Sequence, residues 1–144
     1  MYEKKNFTYI MTTILESIEK IFLYTESFED PDRFFEANEQ MNFNASQILL
    51  LVIGEEVKKI DNNLKEEHKG IPWPEISKLR NRIAHDYRSI DPNISFDIIK
   101  NYLPKLKSEL VKMLDKVSFE SALLIKTVNS NQYRHLKYLI DEEE

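Results

Sequence analysis

A chain of 144 residues is long enough to bury one sizeable core. Two glycines and five prolines are too little turn punctuation for an all-β fold, and 42% hydrophobic with 31% charged residues in long periodic runs fits a soluble helical protein. A net charge of −5, from 20 basic and 25 acidic residues, argues against a molecule-wide nucleic-acid surface, and the lack of cysteine excludes disulfides and thiolate zinc sites.

From the N-terminus, Met1-Tyr-Glu-Lys-Lys-Asn lacks the apolar core of a signal peptide. Phe7, Ile10, Met11, Ile14, Leu15, Ile18, Ile21 and Phe22 then recur at three- and four-residue spacing and predict a long amphipathic helix over about 6–25. Pro31 is placed to open a short turn that Phe34 and Phe35 anchor on the core. A second long helix is expected over about 44–67, with Ile48, Leu49, Val52, Ile53, Val57, Ile60 and Leu64 as its stripe. Its run Ile48–Ile53 is apolar all round, which suits a central helix or one in a subunit interface, and is far too short to span a membrane. A cytoplasmic protein is therefore expected. Gly54 within this helix costs about 1 kcal/mol against alanine, and close approach of a neighbouring backbone is the expected compensation. Gly70 fits a helix end or the turn after it.

Pro74 and Glu75 open a further helix that carries Ile76, Leu79, Ile83 and Ala84. Asp91-Pro92-Asn93 ends that segment, and a long helix over about 94–117 follows, with Pro104 expected to kink it or mark a fresh start. Phe119 to Val128 fits strand, loop or helix, and 132–144 fits a short helix before the acidic tail Asp141-Glu142-Glu143-Glu144. The expected organisation is an all-α four-helix bundle over 1–117 with a C-terminal extension over 118–144, packed on the bundle or trailing it.

Lys78-Leu-Arg-Asn-Arg-Ile-Ala-His-Asp-Tyr87 is the densest chemical stretch. Lys78, Arg80, Arg82 and Arg88 make a local basic cluster that can bind a phosphate backbone despite the acidic total. An arginine grips a phosphate through a rigid fork of donors, and a histidine moves protons near neutral pH. On a regular helix Asn81 and His85 share one face and Arg80 and Tyr87 another, while Arg80 and His85 lie about 140° apart. They reach one atom only if the helix ends or distorts near His85, or if a two-fold dimer joins both protomers' helices in one cleft. The same residues also suit a solvated basic face with a core-edge histidine and a packed tyrosine. His68 and His135 have no partner at metal-ligand spacing, and neither a glycine-rich phosphate loop nor a Gly-x-Ser-x-Gly elbow occurs.

Four blocks, Ile53-Gly-Glu-Glu-Val-Lys58, Ile71-Pro-Trp-Pro-Glu-Ile76, Leu79-Arg-Asn-Arg-Ile-Ala-His-Asp-Tyr87 and Leu103-Pro-Lys-Leu106, stand in an order and at separations that resemble the HepT-like branch of the HEPN superfamily, over about residues 7–117. The resemblance implies a dimeric HEPN-type bundle and a metal-independent ribonuclease toxin whose Arg-x4-6-His motif is matched by Arg80 and His85. It implies no cofactor for this chain, RNA as substrate, and an MntA-like nucleotidyltransferase antitoxin that uses ATP to add AMP units to the position of Tyr87. In that frame His85 exchanges protons with RNA, Arg80 stabilises phosphate charge, Asn81 orients His85 or binds phosphate, and Lys78, Arg82 and Arg88 hold the RNA backbone. The competing expectation is a non-catalytic binding subunit that presents substrate or nucleotide to the nucleotidyltransferase, its basic cluster merely docking phosphates.

Overall fold

The periodic apolar residues of the N-terminal segment all turn inward. In the computed structural model, which describes residues 4–116 together with His135, Leu136 and Tyr138, helix α1 spans Lys4–Thr25 and buries Phe7, Ile10, Met11, Ile14, Leu15, Ile18 and Ile21. Its last turn is closed by a cation. Lys100 Nζ donates at 2.9 Å to the Thr25 carbonyl, which also accepts from the Phe28 N–H at 3.0 Å, and places positive charge at the negative helix end.

Helix α2, Pro31–Val57, starts as its sequence dictates, with Asp30 as N-cap and Pro31 in the first turn. Phe34 is fully buried and stacks edge-on to Phe43 at 5.9 Å. The helix is broken at Ala37–Gln40, where Asn38, Glu39 and Gln40 all take positive φ. Asparagine tolerates that region, whereas Glu39 and Gln40 hold it at a cost in strain. The predicted helix over 44–67 is divided further along the chain, between Val57 and Asn62. It ends at Val57, and Asp61 caps a separate short helix α3, Asn62–Glu67, by accepting from the Asn63 N–H at 3.1 Å. Burial of Ile60 between them pulls the chain inward and away from a straight continuation.

Helix α4, Trp73–His85, carries Pro74 in its first turn and buries Ile76, Leu79 and Ile83 against α2. A 3₁₀ turn, Tyr87–Ser89, follows, then α5, Pro92–Asp97, capped by Asp91. The predicted helix over 94–117 is continuous in direction but not in pitch. Ile98–Tyr102 forms a π turn before α6, Leu103–Lys116. Pro104 has no N–H to donate and its ring would strike the carbonyl four residues back, so the wider turn ahead of it relieves both problems. Helix α1 packs on α2 and α6, and α2 on α4 and α5, with Leu103, Leu106, Leu110 and Met113 sealing the core. All described residues in regular structure are helical, in agreement with the all-α expectation. Leu136 is fully buried and Lys107 lies 5.1 Å over the Tyr138 ring; the element expected over Phe119 to Val128 falls outside the described residues.

One buried contact fixes the approach to α4. His68, buried at the C-cap of α3, pairs through Nδ1 with Glu109 of α6 at 2.8 Å, and its own carbonyl accepts from Trp73 Nε1 at 3.1 Å. The hydrogen bond from His68, then that from Lys112, holds the Glu109 carboxyl below its ordinary pKa of 4.5. A carboxyl whose pKa is lowered by folding stabilises the fold above its unfolded pKa and loses that contribution as pH falls through the folded value. The urea midpoint of the protein should therefore drop between about pH 5 and pH 3, and drop less in Glu109→Gln. Equal acid sensitivity in the two proteins would remove this pair from the account.

Candidate functional site

Helix α4 stops at His85 because Asp86 leaves helical geometry, at φ −150 and ψ 58. The residues beyond are drawn to two anchors. Ile90 is buried, and Tyr87 turns toward α2, where its ring meets Phe43 at 6.4 Å and its hydroxyl donates to Asn44 Oδ1. Partial burial pushes the Tyr87 phenol above its ordinary pKa of 10.0. Arg82 and His85 lie in the last turn of α4, where cations are favoured.

Arg80 faces the same helix as Tyr87, seven residues earlier and antiparallel along α2. Its Cβ and Cγ would lie 2.4 and 2.7 Å from a Cβ built on Gly54, so the missing side chain of Gly54 is the space that Arg80 occupies. A close approach is present at this glycine, but it is made by the side chain of the motif arginine and not by a neighbouring backbone, since Arg80 Cα lies 3.7 Å from that Cβ. Arg80 Nε ion-pairs with Glu55, whose carboxylate also faces Lys58 at 3.7 Å, and Arg80 Nη1 donates to Asn81 Oδ1 at 2.9 Å. Desolvation pushes the Glu55 carboxyl upward, but the hydrogen bond and charge of Arg80, with Lys58, hold it below its ordinary 4.5 and so ionised at neutral pH.

The other face of α4 opens on a groove of about 790 Å³ against α5 and the π turn. Lys78, Asn81, Arg82 and His85 form its α4 wall, Ile94, Ile98 and Tyr102 line the opposite side, and Asp86, Asp91 and Asp97 also border it. Ile94 is 51% exposed there. Arg80 and Tyr87 do not line the groove, and Arg88 stands exposed on the 3₁₀ turn outside it. The structure thus unites Lys78, Asn81, Arg82 and His85, and seats Arg80 and Tyr87 on the α2 side. Asn81 is the link, since it shares the groove with His85 and accepts from Arg80. Of the two geometric remedies, the helix end at His85 is present in the single chain. Among the described residues no group of three metal-binding side chains gathers, and no helix is long and apolar enough to cross a membrane.

Sequence reasoning missed Glu55 and Asn44. Nothing marks one glutamate among many on a charged helix, although its neighbour Gly54 signalled the contact. Asn44 gives no signal, because its role depends on a partner 43 residues away.

A family model described as Ribonuclease HepT-like matches residues 14–113. The chain is similar to a Thermococcus cleftensis protein designated probable ribonuclease HepT, with 32% identity over 102 residues, 69% of this chain and 88% of that protein. It is similar to a Methanocaldococcus jannaschii protein bearing a provisional RNase name, with 32% identity over 107 residues, 74% of this chain and 95% of that one. A second M. jannaschii relative, whose name joins a gamma-glutamylcyclotransferase to a provisional RNase, is 29% identical over 116 residues, and the match covers 79% of this chain but only 50% of that protein. No solved structure gives a significant match to the chain.

Proposed function

The chain belongs to the HepT-like ribonuclease family, and from that premise we propose that it is a metal-independent endoribonuclease, the toxin of a toxin–antitoxin pair acting in the cytoplasm. The observation that carries this reading is the link Arg80–Asn81, which connects the arginine to the groove that holds His85. His85 takes the proton of an RNA 2′-hydroxyl, the oxygen attacks the adjacent phosphorus, and the P–O5′ bond breaks with a proton returned to O5′. Arg80 stabilises the growing phosphate charge, an effect worth a few kcal/mol, and Asn81 orients the groups. Lys78, Arg82 and Arg88 hold flanking phosphates. The products are a 2′,3′-cyclic phosphate and a 5′-hydroxyl, and their appearance in chelator with the purified chain is the direct test.

A two-fold dimer would complete the cleft by placing Arg80 of each protomer beside His85 of the other. The exposed Ile94 in the groove, and Met41 and Ile48 exposed at 62% and 55% on the α2 face, supply apolar surface for such pairing.

The proposed off-switch is Tyr87. Its hydroxyl oxygen attacks the α-phosphorus of ATP held by an MntA-like nucleotidyltransferase, pyrophosphate leaves, and the phenolic proton passes to a base. Burial pushes this phenol further above its ordinary pKa of 10.0, so the transfer needs a base to take the proton. Freeing the hydroxyl also breaks its bond to Asn44. Co-expression with the partner should add AMP-sized mass to the chain, and Tyr87→Phe should carry none and escape neutralisation. An intact mass without adduct, or an adduct retained in Tyr87→Phe, would remove Tyr87 from the role.

The carboxylate against Arg80 and the aspartates bordering the groove favour a second reading, a non-catalytic subunit that presents nucleotide or substrate to the nucleotidyltransferase. It gains if the pure chain binds the partner tightly and leaves RNA intact.

A further inference from the structure

An arginine that must meet a developing charge works best when its orientation is set before the substrate arrives. Left alone, a long four-torsion side chain samples many rotamers. Arg80 is held at three levels by three different residues. The stem fills the space above Gly54, the Nε edge faces Glu55, and Nη1 donates to Asn81. The side chain is only 20% exposed as a result. Among the described residues the polar partners of the guanidinium fall on Nε and Nη1, and none falls on Nη2.

We propose that Glu55 is a positioning residue of the cleavage site, which with Gly54 seats Arg80 on α2 and presents the Nη2 edge to the scissile phosphate. The inference rests on the ribonuclease reading and adds to it a residue outside the Arg-x4-His motif. A carboxylate beside the guanidinium has two opposed effects: it fixes the fork, and it offsets part of the positive charge. The Glu55 side chain is 41% exposed, so solvent screens part of the charge effect, whereas the geometric effect, made through the buried Oε1, does not depend on screening. Orientation therefore prevails, and loss of Glu55 slows cleavage.

The test compares wild type, Glu55→Ala, Glu55→Gln, Arg80→Ala and Glu55→Ala/Arg80→Ala in the full chain, using a labelled single-stranded RNA. Glu55→Ala is expected to lower kcat about 10- to 100-fold with KM nearly unmoved, and Glu55→Gln, which keeps an oxygen for Nε, to recover part of the loss. The double variant should be no slower than Arg80→Ala, because Glu55 acts through Arg80. Helical circular dichroism and the melting midpoint show that each variant is folded. A Glu55→Ala enzyme with wild-type kcat, or a double variant slower than Arg80→Ala by the full Glu55 factor, overturns the proposal. The Nε–Hε resonance of Arg80 provides a second readout that needs no activity: a sharp, shifted signal in wild type that collapses toward the free-arginine position in Glu55→Ala. If that signal behaves as stated and wild type leaves RNA intact, the ribonuclease reading fails while the seating of Arg80 stands. If wild type cleaves and the resonance is indifferent to Glu55, the positioning role fails alone.

Discussion

Replacing His85 with alanine is expected to lower the rate of RNA cleavage by about 10² to 10⁴ and to leave the fold intact. The first half follows from the proposed role: without His85 no imidazole stands at the end of α4 to activate the 2′-hydroxyl. The second follows from its position, since His85 is exposed at a helix end and outside the core cluster, where substitutions shift stability by only about 0.5 kcal/mol. Arg80→Ala should cost about 10² to 10³ and Arg80→Lys only somewhat less, because an ammonium cannot face Glu55, Asn81 and a phosphate together. The pair acts as a unit, so the double variant should fall well short of the product of the two losses. The measurement is cleavage of end-labelled RNA in chelator with analysis of the new termini. A folded His85→Ala protein that cleaves at the wild-type rate would end the catalytic assignment of that residue.

Gly54→Ala should destabilise the protein by up to about 2 kcal/mol, against the sign expected for a glycine in a helix. Two terms compete. Alanine in an open helix would gain about 1 kcal/mol. Here the new methyl falls 2.4 Å from Arg80 Cβ, an atom whose place is set by the α4 backbone and not by a rotamer. The two helices must separate, and overpacking of this kind costs about 1–3 kcal/mol, so the steric term wins. Cleavage should fall too, since displacing Arg80 by even about 1 Å can cost a hundredfold. Gly70→Ala is the internal control, because no atom lies within 4 Å of a Cβ built there. Urea denaturation of both variants decides the matter; a Gly54→Ala protein more stable than wild type would show that the α2–α4 contact yields readily.

Much of this was legible in the sequence, for physical reasons that also mark where legibility ends. The apolar period of α1 is a local property and is legible, as is the start of α5, where Asp91 caps a helix opened by Pro92, whereas Pro31 opens helix α2 where only a short turn is expected. The division of the 44–67 segment is not legible, because helix periodicity survives a short break and only Asp61 hints at a new start. The left-handed stretch at Asn38–Gln40 has no glycine to announce it. In the site, the divergence of Arg80 and His85 came from helical rotation alone, and the structure keeps it, with Arg80 toward α2 and His85 in the groove. That Gly54 meets Arg80, and Asn44 meets Tyr87, are non-local facts. The sequence contains the residues for them but no rule that pairs positions across helices.

The π turn at Ile98–Tyr102 acts as one surplus residue within an otherwise ordinary helical register. Faces of the helix before and after it are therefore out of phase by about 100° relative to an uninterrupted helix. Ile94 and Tyr102 line the groove, while Phe96 and Ile99 before the shift and Leu106, Leu110 and Met113 after it close the core, and the surplus residue sets the register between the groove face and the core face downstream. In this segment an insertion or deletion of one residue is thus a heavier change than most substitutions: it swivels the groove wall against the core without altering a side chain.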